Sequence, residues 1–406
     1  MSQNVKLSSL LVLNELNHDP VLSFLEWDAD DPTSQAEAAA HLVRAAEMQG
    51  LSGNLLPQYL LHIFKHNANL VSETMERTGL PPGNGLRQAF YHDITLLYPL
   101  LTLPTSEFLG VPLLDNYEPT WNIYDKTEDF LIPWIEAAQT PKDYAEALLT
   151  FYARYGYGEL ASYIVFHWDD KANKIRGIAH FEHTQMKNLI GYEHQKEQLL
   201  QNTRAFVHGK PANHVLLVGA RGTGKSSAVK ALVSEYEEGG LRLVQVTKEQ
   251  LRKLPEIMTA LRNYAGRKFI LFLDDISFED SDAEFKAVKS AIEGGVSSCP
   301  PNVCLYATSN RRHLVRETWR DREDELYRDD TVNETISLSD RFGLIIHYHT
   351  PDQDEYLAII DHMLSQRGIH LSPEELRIAG LRWEMTHSGR SGRTAQQFVA
   401  HYLGIH

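Results

Sequence analysis

The hydrophobic rhythm of the chain changes twice. Up to about residue 155, apolar side chains recur at helical spacing in 37–48, 55–69, 85–97 and 141–155, with proline or glycine between these stretches. Steps of three and four residues give each segment one buried stripe, so a mostly α-helical N-terminal domain is expected over 1–155. No repeat of fixed period and no low-complexity tract is present. Aromatic residues such as Trp27, Tyr59, Phe64, Tyr91, Trp121, Trp134 and Tyr144 read as core rather than as a binding stripe. His62 and His66 stand at i, i+4, but no HExxH-type glutamate or further ligand accompanies them, so packing is the reading.

The first change comes at 161–168, an extended apolar run followed by the polar stretch 169–173 and a second run at 174–181. This is the pattern of a β-hairpin, taken as a joint over 156–185. Beyond Gly191-Tyr192-Glu193-His194-Gln195, a helix is expected to about Val207. Short, nearly continuous apolar runs then alternate with helix-like segments, at 215–218, 241–246, 269–273, 303–307 and 344–348. Strands of a parallel sheet covered on both faces read this way, so an α/β domain with a five-stranded parallel sheet is expected over 186–350. The second change follows Pro351. Three helical stretches, 353–366, 373–387 and 393–403, come with no strand between them and form a C-terminal helical lid over 351–406.

One stretch carries the chemistry. Gly219-Ala220-Arg221-Gly222-Thr223-Gly224-Lys225-Ser226 lies between the run 215–218 and a helix that opens at Ser226-Ser227. Strand, glycine loop and helix are the context in which G-x-x-x-x-G-K-[ST] marks a phosphate site. Glycine permits the backbone to turn successive N–H groups inward, and a helix N-terminus adds partial positive charge. In such a loop Lys225 reaches the β- and γ-phosphates and the Ser226 hydroxyl binds Mg²⁺, which makes ATP and Mg²⁺ the expected cofactors. The run 269–273 ends in Asp274 and Asp275, 49 residues after Lys225. Ligands of open α/β sheets sit at the carboxyl ends of strands, so Asp274 is expected to hold the metal and Asp275 to polarise the attacking water. The run 303–307 continues into Thr308-Ser309-Asn310, and a strand lying between the first and third brings Asn310 to the γ-phosphate or the lytic water.

This ordered set resembles the AAA+ ATPases over about residues 186–406. Leu273-Asp274-Asp275-Ile276-Ser277-Phe278 and Arg341-Phe342-Gly343 look most like replication initiators and helicase-loader-type ATPases of bacteria. With Ser337-Leu338-Ser339-Asp340 before Arg341 and Asp352-Gln353-Asp354-Glu355-Tyr356-Leu357 after it, the chain is similar to an uncharacterised family of predicted bacterial AAA+ ATPases. The resemblance implies that Asn310 is sensor 1, that Arg341 is an arginine finger supplied to a neighbouring subunit, and that Arg393 is sensor 2, with Arg390 the alternative. It implies that Gly191 and Tyr192 line the adenine pocket. Two departures stand out. The acid after the metal-binding Asp is usually Glu in the superfamily and is Asp275 here, its carboxylate about 1.5 Å closer to the backbone. Misplacement on that scale can cost about a hundredfold in rate, so slow, switch-like hydrolysis is expected. The place of an unfoldase's aromatic-glycine loop is held by Val246-Thr247-Lys248-Glu249-Gln250, which disfavours polypeptide threading.

Charge changes the picture of partners. The formal net charge is -15, and residues 1–185 hold 11 Lys and Arg against 24 Asp and Glu, while the remainder holds 28 against 30. An acidic N-terminal half repels nucleic acid and anionic lipid, so nucleic acid is disfavoured as a partner. The segment 311–334 interleaves both signs and reads as a solvated loop, expected to order against a neighbouring protomer when ATP binds. Two cysteines, Cys299 and Cys304, suit a reducing compartment, and Cys304 lies in a strand-like run as a structural thiol. The N-terminus shows no signal-peptide pattern, and the tract 96–114 is broken by Pro99, Pro104, Glu107 and Pro112, so no membrane span and a cytoplasmic location are expected. The leading reading is a homo-oligomeric Mg²⁺-dependent ATPase that switches or remodels a macromolecular partner, with a protein bound through the N-terminal domain. A non-catalytic nucleotide-dependent scaffold and a helicase-loader-like DNA-associated ATPase are the alternatives.

Overall fold

The computed structural model describes residues 6–27, 32–121, 127–181, 183–276, 282–293, 299–310, 341–387 and 389–405. The expected loop 311–334, with Ser337–Asp340 and Ser277-Phe278, lies outside the described residues. The chain divides into two compact units, one of Met1–Tyr163 with Asn263–Gly266 and the other of Ile164–Arg262 with Arg267–His406.

The first unit is helical. Its helices are α1 (Leu22–Trp27), α2 (Pro32–Gln49), α3 (Leu55–His66), α4 (Leu70–Thr78), α5 (Asn84–Thr102), α6 (Ser106–Leu109), α7 (Glu128–Glu136), α8 (Pro141–Tyr155) and α9 (Glu159–Ser162). Local chemistry sets several of their ends. Asn69 and Ser72 cap α4 reciprocally, Gly79 closes it at φ +67°, and Thr140 and Asp143 cap α8 behind Pro141. α8 buries Tyr144, Leu148, Phe151, Tyr152 and Tyr155 at three- and four-residue steps, the stripe its pattern predicts. α5 passes through Pro99, although the sequence pattern suggested an end near Leu97. The fully buried Asp93 on this helix accepts backbone N–H bonds from Leu11, Val12 and Leu13 and ties the N-terminal segment to the helix.

The second unit is organised on one sheet. Its strands are β1 (Val165–Asp169), β2 (Lys174–Gly177), β3 (Val215–Gly219), β4 (Leu241–Val246), β5 (Lys268–Leu273), β6 (Val303–Ser309) and β7 (Leu344–Tyr348), in the order β2-β1-β4-β5-β6-β3-β7. All five expected parallel strands are present, and β6 lies between β3 and β5. The hairpin extends this sheet: β1 pairs in parallel with β4, Val165 opposite Leu243, and antiparallel with β2. Two physical reasons place it there. Val165, Phe166 and Trp168 need burial, and β4 would otherwise be left with an unpaired edge.

Helices α10 (Glu193–Val207), α11 (Lys225–Tyr236), α12 (Leu254–Arg262) and α13 (Asp282–Glu293) connect or cover the strands. The lid follows as α14 (Gln353–Ser365), α15 (Pro373–Thr386) and α16 (Gly392–Ile405), closed on Tyr356, Ile360, Leu364, Ala395 and Phe398. Asp352 and Ser372 cap α14 and α15, each in a reciprocal box with Glu355 and Glu375. Cys304 is buried in β6, and burial pushes both cysteine thiols up, Cys299 to about 11.

Gly219 ends β3 at φ +150°, and a Cβ there would lie 2.1 Å from the carbonyl oxygen of Tyr348 on β7. Gly219→Ala is therefore expected to destabilise the second unit by about 1–3 kcal/mol or more. A thermal melt should fall by roughly 2–4 °C for each kcal/mol. An unchanged melt would show that β3 and β7 can separate without cost.

Candidate functional site

The register of the sheet brings the chemistry together. Val218 on β3 stands opposite Ser309 on β6, and Ala307 stands opposite Leu273 on β5. Three strands thus end at one edge, where Gly219, Asp274 and Asn310 emerge together. The glycine loop turns from β3 into α11, with Gly222 at φ +77° and Gly224 at φ +90°, conformations that a side chain strains. A cavity of about 530 Å³ opens here, lined by residues 221–228, Asp274, Asp275, Thr308 and Asn310. Segment 188–192, Lys196 and Tyr348 complete the lining with Ile359, Met363, Gly392, Arg393 and Gln396 of the lid helices. That volume suits a nucleotide-sized ligand.

Two hydrogen-bond circuits occupy the floor. In the first, the Ser226 hydroxyl donates to Asp274 Oδ1 at 2.6 Å and the Thr308 hydroxyl donates to the same oxygen at 2.7 Å. Hydroxyl and carboxylate are hard oxygen donors, and their approach across two elements fits Mg²⁺. In the second, Lys225 Nζ donates to the carbonyls of Gly219 at 2.9 Å and Ala220 at 2.8 Å, and to Asn310 Oδ1 at 3.2 Å. The Asn310 amide donates in turn to Asp275 Oδ1, and Arg221 Nη2 lies 3.7 Å from Asp275 Oδ2. Burial pushes the Lys225 ammonium down to about 8, against the opposing pull of the Asp275 and Asp274 carboxylates. A buried cation with a depressed pKa, held among carbonyl oxygens, is set to gain from an arriving anion.

Asp275 holds a left-handed backbone at φ +54°. Asp and Asn tolerate that region better than longer or branched side chains, which gives a local reason for Asp where the superfamily usually has Glu. Its N–H donates to Thr308 Oγ1 at 2.8 Å, and the N–H of Ile276 donates to the Thr308 carbonyl at 2.9 Å.

Gly191 and Tyr192 both have positive φ, +78° and +58°. The Tyr192 hydroxyl anchors this turn by donating to the His349 carbonyl at 2.7 Å, and its ring packs 4.9 Å from that of Tyr348. Lys196, also buried, donates to the Leu189 carbonyl at 2.7 Å. On the lid, Ser391 caps α16 by accepting the N–H of Thr394, and the N–H of Gly392 donates to the Gly222 carbonyl at 2.8 Å. This contact draws Arg393 to the cavity wall, whereas Arg390 is paired with Glu384 at 2.9 Å. Arg341 precedes β7 and is not among the residues lining the cavity. Thr308, Lys196, Ile359 and Met363 line the cavity without having been singled out from sequence. Thr308 carried a signal, two positions before Asn310 on the same strand. The other three are brought in by folding alone.

Strand order, glycine loop and C-terminal helices define a P-loop module of the AAA+ type. Residues 161–406 match the family described as Protein of unknown function (DUF815), and the chain belongs to that family. No curated protein matches the chain. Among solved structures it is similar to the Thermotoga maritima RuvB Holliday junction branch migration motor, at 20% identity and a TM-score of 0.37, over 53% of this chain and 62% of that one. A single-residue mutant of the same RuvB is similar at 19% identity and a TM-score of 0.38, over 53% and 64%. The chain thus spans less than two thirds of the length of these motors, and the likeness carries nothing about activity.

A polyphosphate bound beside Lys225 would raise its pKa above about 8, so binding is expected to take up a proton once the unliganded lysine has lost its own. Affinity is expected to be level below pH 8 and to fall by up to about tenfold per unit above it. Titration calorimetry with tripolyphosphate at pH 9, in buffers of different ionisation enthalpy, should report uptake approaching one proton. No uptake would remove Lys225 from the anion site.

Proposed function

We propose that this protein binds ATP with Mg²⁺ and hydrolyses it slowly as a homo-oligomer that switches a macromolecular partner. The observation that carries the reading is the 2.6 Å contact between Ser226 and Asp274, beside a buried Lys225 at the end of the glycine loop. In this reading the loop amides and Lys225 hold the phosphates, while Gly191, Tyr192, Ile359 and Met363 receive the base. Ser226 and Asp274 hold the metal ion, which when bound neutralises phosphate charge. Asp275 orients and polarises the lytic water, and Asn310 bridges that acid and Lys225. Arg393 reaches the phosphates from the lid, so that lid position follows the state of the nucleotide. Arg341 is supplied to the site of a neighbouring subunit. Phosphoryl transfer needs positioning and charge stabilisation more than covalent chemistry, and these groups provide both. The acidic N-terminal unit favours a protein over a nucleic acid as partner.

A second reading, a nucleotide-dependent scaffold without turnover, is favoured by one observation. The Asp275 carboxylate is engaged on one oxygen by Asn310 and faces Arg221 on the other.

Phosphate release and direct nucleotide binding test both readings. Lys225→Ala is expected to lose ATP binding and turnover together. Asp275→Asn should keep binding and lose about a hundredfold in rate. Turnover per subunit should rise with protein concentration in the wild type and stay flat in Arg341→Ala. ATP binding with no turnover at any concentration selects the scaffold, and equal turnover by wild type and Lys225→Ala removes the ATPase reading.

A further inference from the structure

Thr308 is buried near the end of β6, between the acid-bearing β5 and the loop-bearing β3. Its hydroxyl is shared between the two acids, donating to Asp274 Oδ1 at 2.7 Å and accepting the N–H of Asp275 at 2.8 Å. A hydroxyl has one proton and two lone pairs, so these bonds fix its orientation. A β-branched side chain on a central strand is stiff about χ1, which fixes its position too. The main chain repeats the grip, because the Thr308 carbonyl accepts the N–H of Ile276. Asp275 between these bonds has φ +54°, a conformation that persists only where the surroundings hold it.

We propose that Thr308 is the positioning residue of this site, setting the carboxylate of Asp274 for the metal and the turn that presents Asp275. The inference rests on the ATPase reading and deepens it. Ser226 and Thr308 donate to the same oxygen of Asp274. When the Ser226 hydroxyl turns to an ion, Thr308 still holds that carboxylate. Residues that hold a metal ligand in this way typically affect metal affinity or activity by about 10–100-fold.

The test uses the full chain and three variants. Thr308→Val keeps the branched shape and loses both hydroxyl bonds, Thr308→Ser restores them, and Thr308→Ala removes the hydroxyl with less bulk should the valine variant fail to fold. ATP affinity is measured in EDTA and across a Mg²⁺ titration, and turnover across the same titration. Thr308→Val is expected to bind ATP in EDTA within about twofold of wild type, but to need about tenfold more Mg²⁺ and to turn over about 10–100-fold more slowly. Thr308→Ser should recover both. A purely structural role would lower thermal stability and leave the Mg²⁺ requirement where it was. Wild-type Mg²⁺ dependence in the hydroxyl-free variant overturns the proposal, as does a wild type whose ATP affinity Mg²⁺ does not change. If the wild type binds ATP without turnover, the hydrolysis reading has failed instead, and the Mg²⁺-dependent part of ATP affinity still decides the role of Thr308.

Discussion

Parallel pairing at a fixed register brings the C-terminal ends of β3, β5 and β6 to the same edge of the sheet, with Leu273 opposite Ala307 and Val218 opposite Ser309, and the site depends on that alignment. Shifting β6 by one residue against β5 would move Thr308 off Asp274 and turn its side chain to the other face of the sheet. Register is held by burial on both faces: every residue of β3 and β6 is buried, so neither strand can slip without exposing apolar surface or stranding a polar group. The hairpin supports the same sheet from its far edge by covering β4.

Electrostatics complete what register begins. A lysine ammonium in this cleft loses hydration and gains only carbonyls, an amide oxygen and two nearby carboxylates in return. Its depressed pKa records that imbalance, which an anion of high charge would correct. Lid and loop share the geometry. Gly222 has no room for a Cβ beside Ser391 and Arg393, and Gly392 approaches the Gly222 carbonyl closely enough to donate to it. Glycine on both sides of that contact lets backbone meet backbone, so a movement of the loop is felt at the start of α16.

The strained positions cluster at the same place. Tyr192 and Asp275 are two of the three non-glycine residues with positive φ among the described residues, and both line the cavity. Each is tied down, Tyr192 through its hydroxyl to His349 and Asp275 through its N–H to Thr308. Strain that is held in place by neighbouring bonds is a common feature of binding sites, because it fixes a group where relaxed backbone would let it wander.

Much of this was legible in the amino-acid order. Buried parallel strands announced themselves as short apolar runs, lid and N-terminal helices as three- and four-residue steps, and the glycine loop by a spacing that few other structures need. Asp274, Asp275 and Asn310 could be chosen because each follows a strand. These are local properties, fixed by periodicity and backbone freedom. Tertiary structure alone decided the rest. That the hairpin joins the sheet depends on which edge was left unpaired. Only folding could give Arg393 the cavity wall and Arg390 a glutamate, since the two stand three residues apart in one polar stretch. Thr308 was a strand residue like its neighbours until pairing set it between two acids, and Lys196 was one surface-type lysine among several until α10 buried it against Leu189. A side chain's partners across a sheet or beneath a helix are set by long-range packing, which no short window of sequence contains.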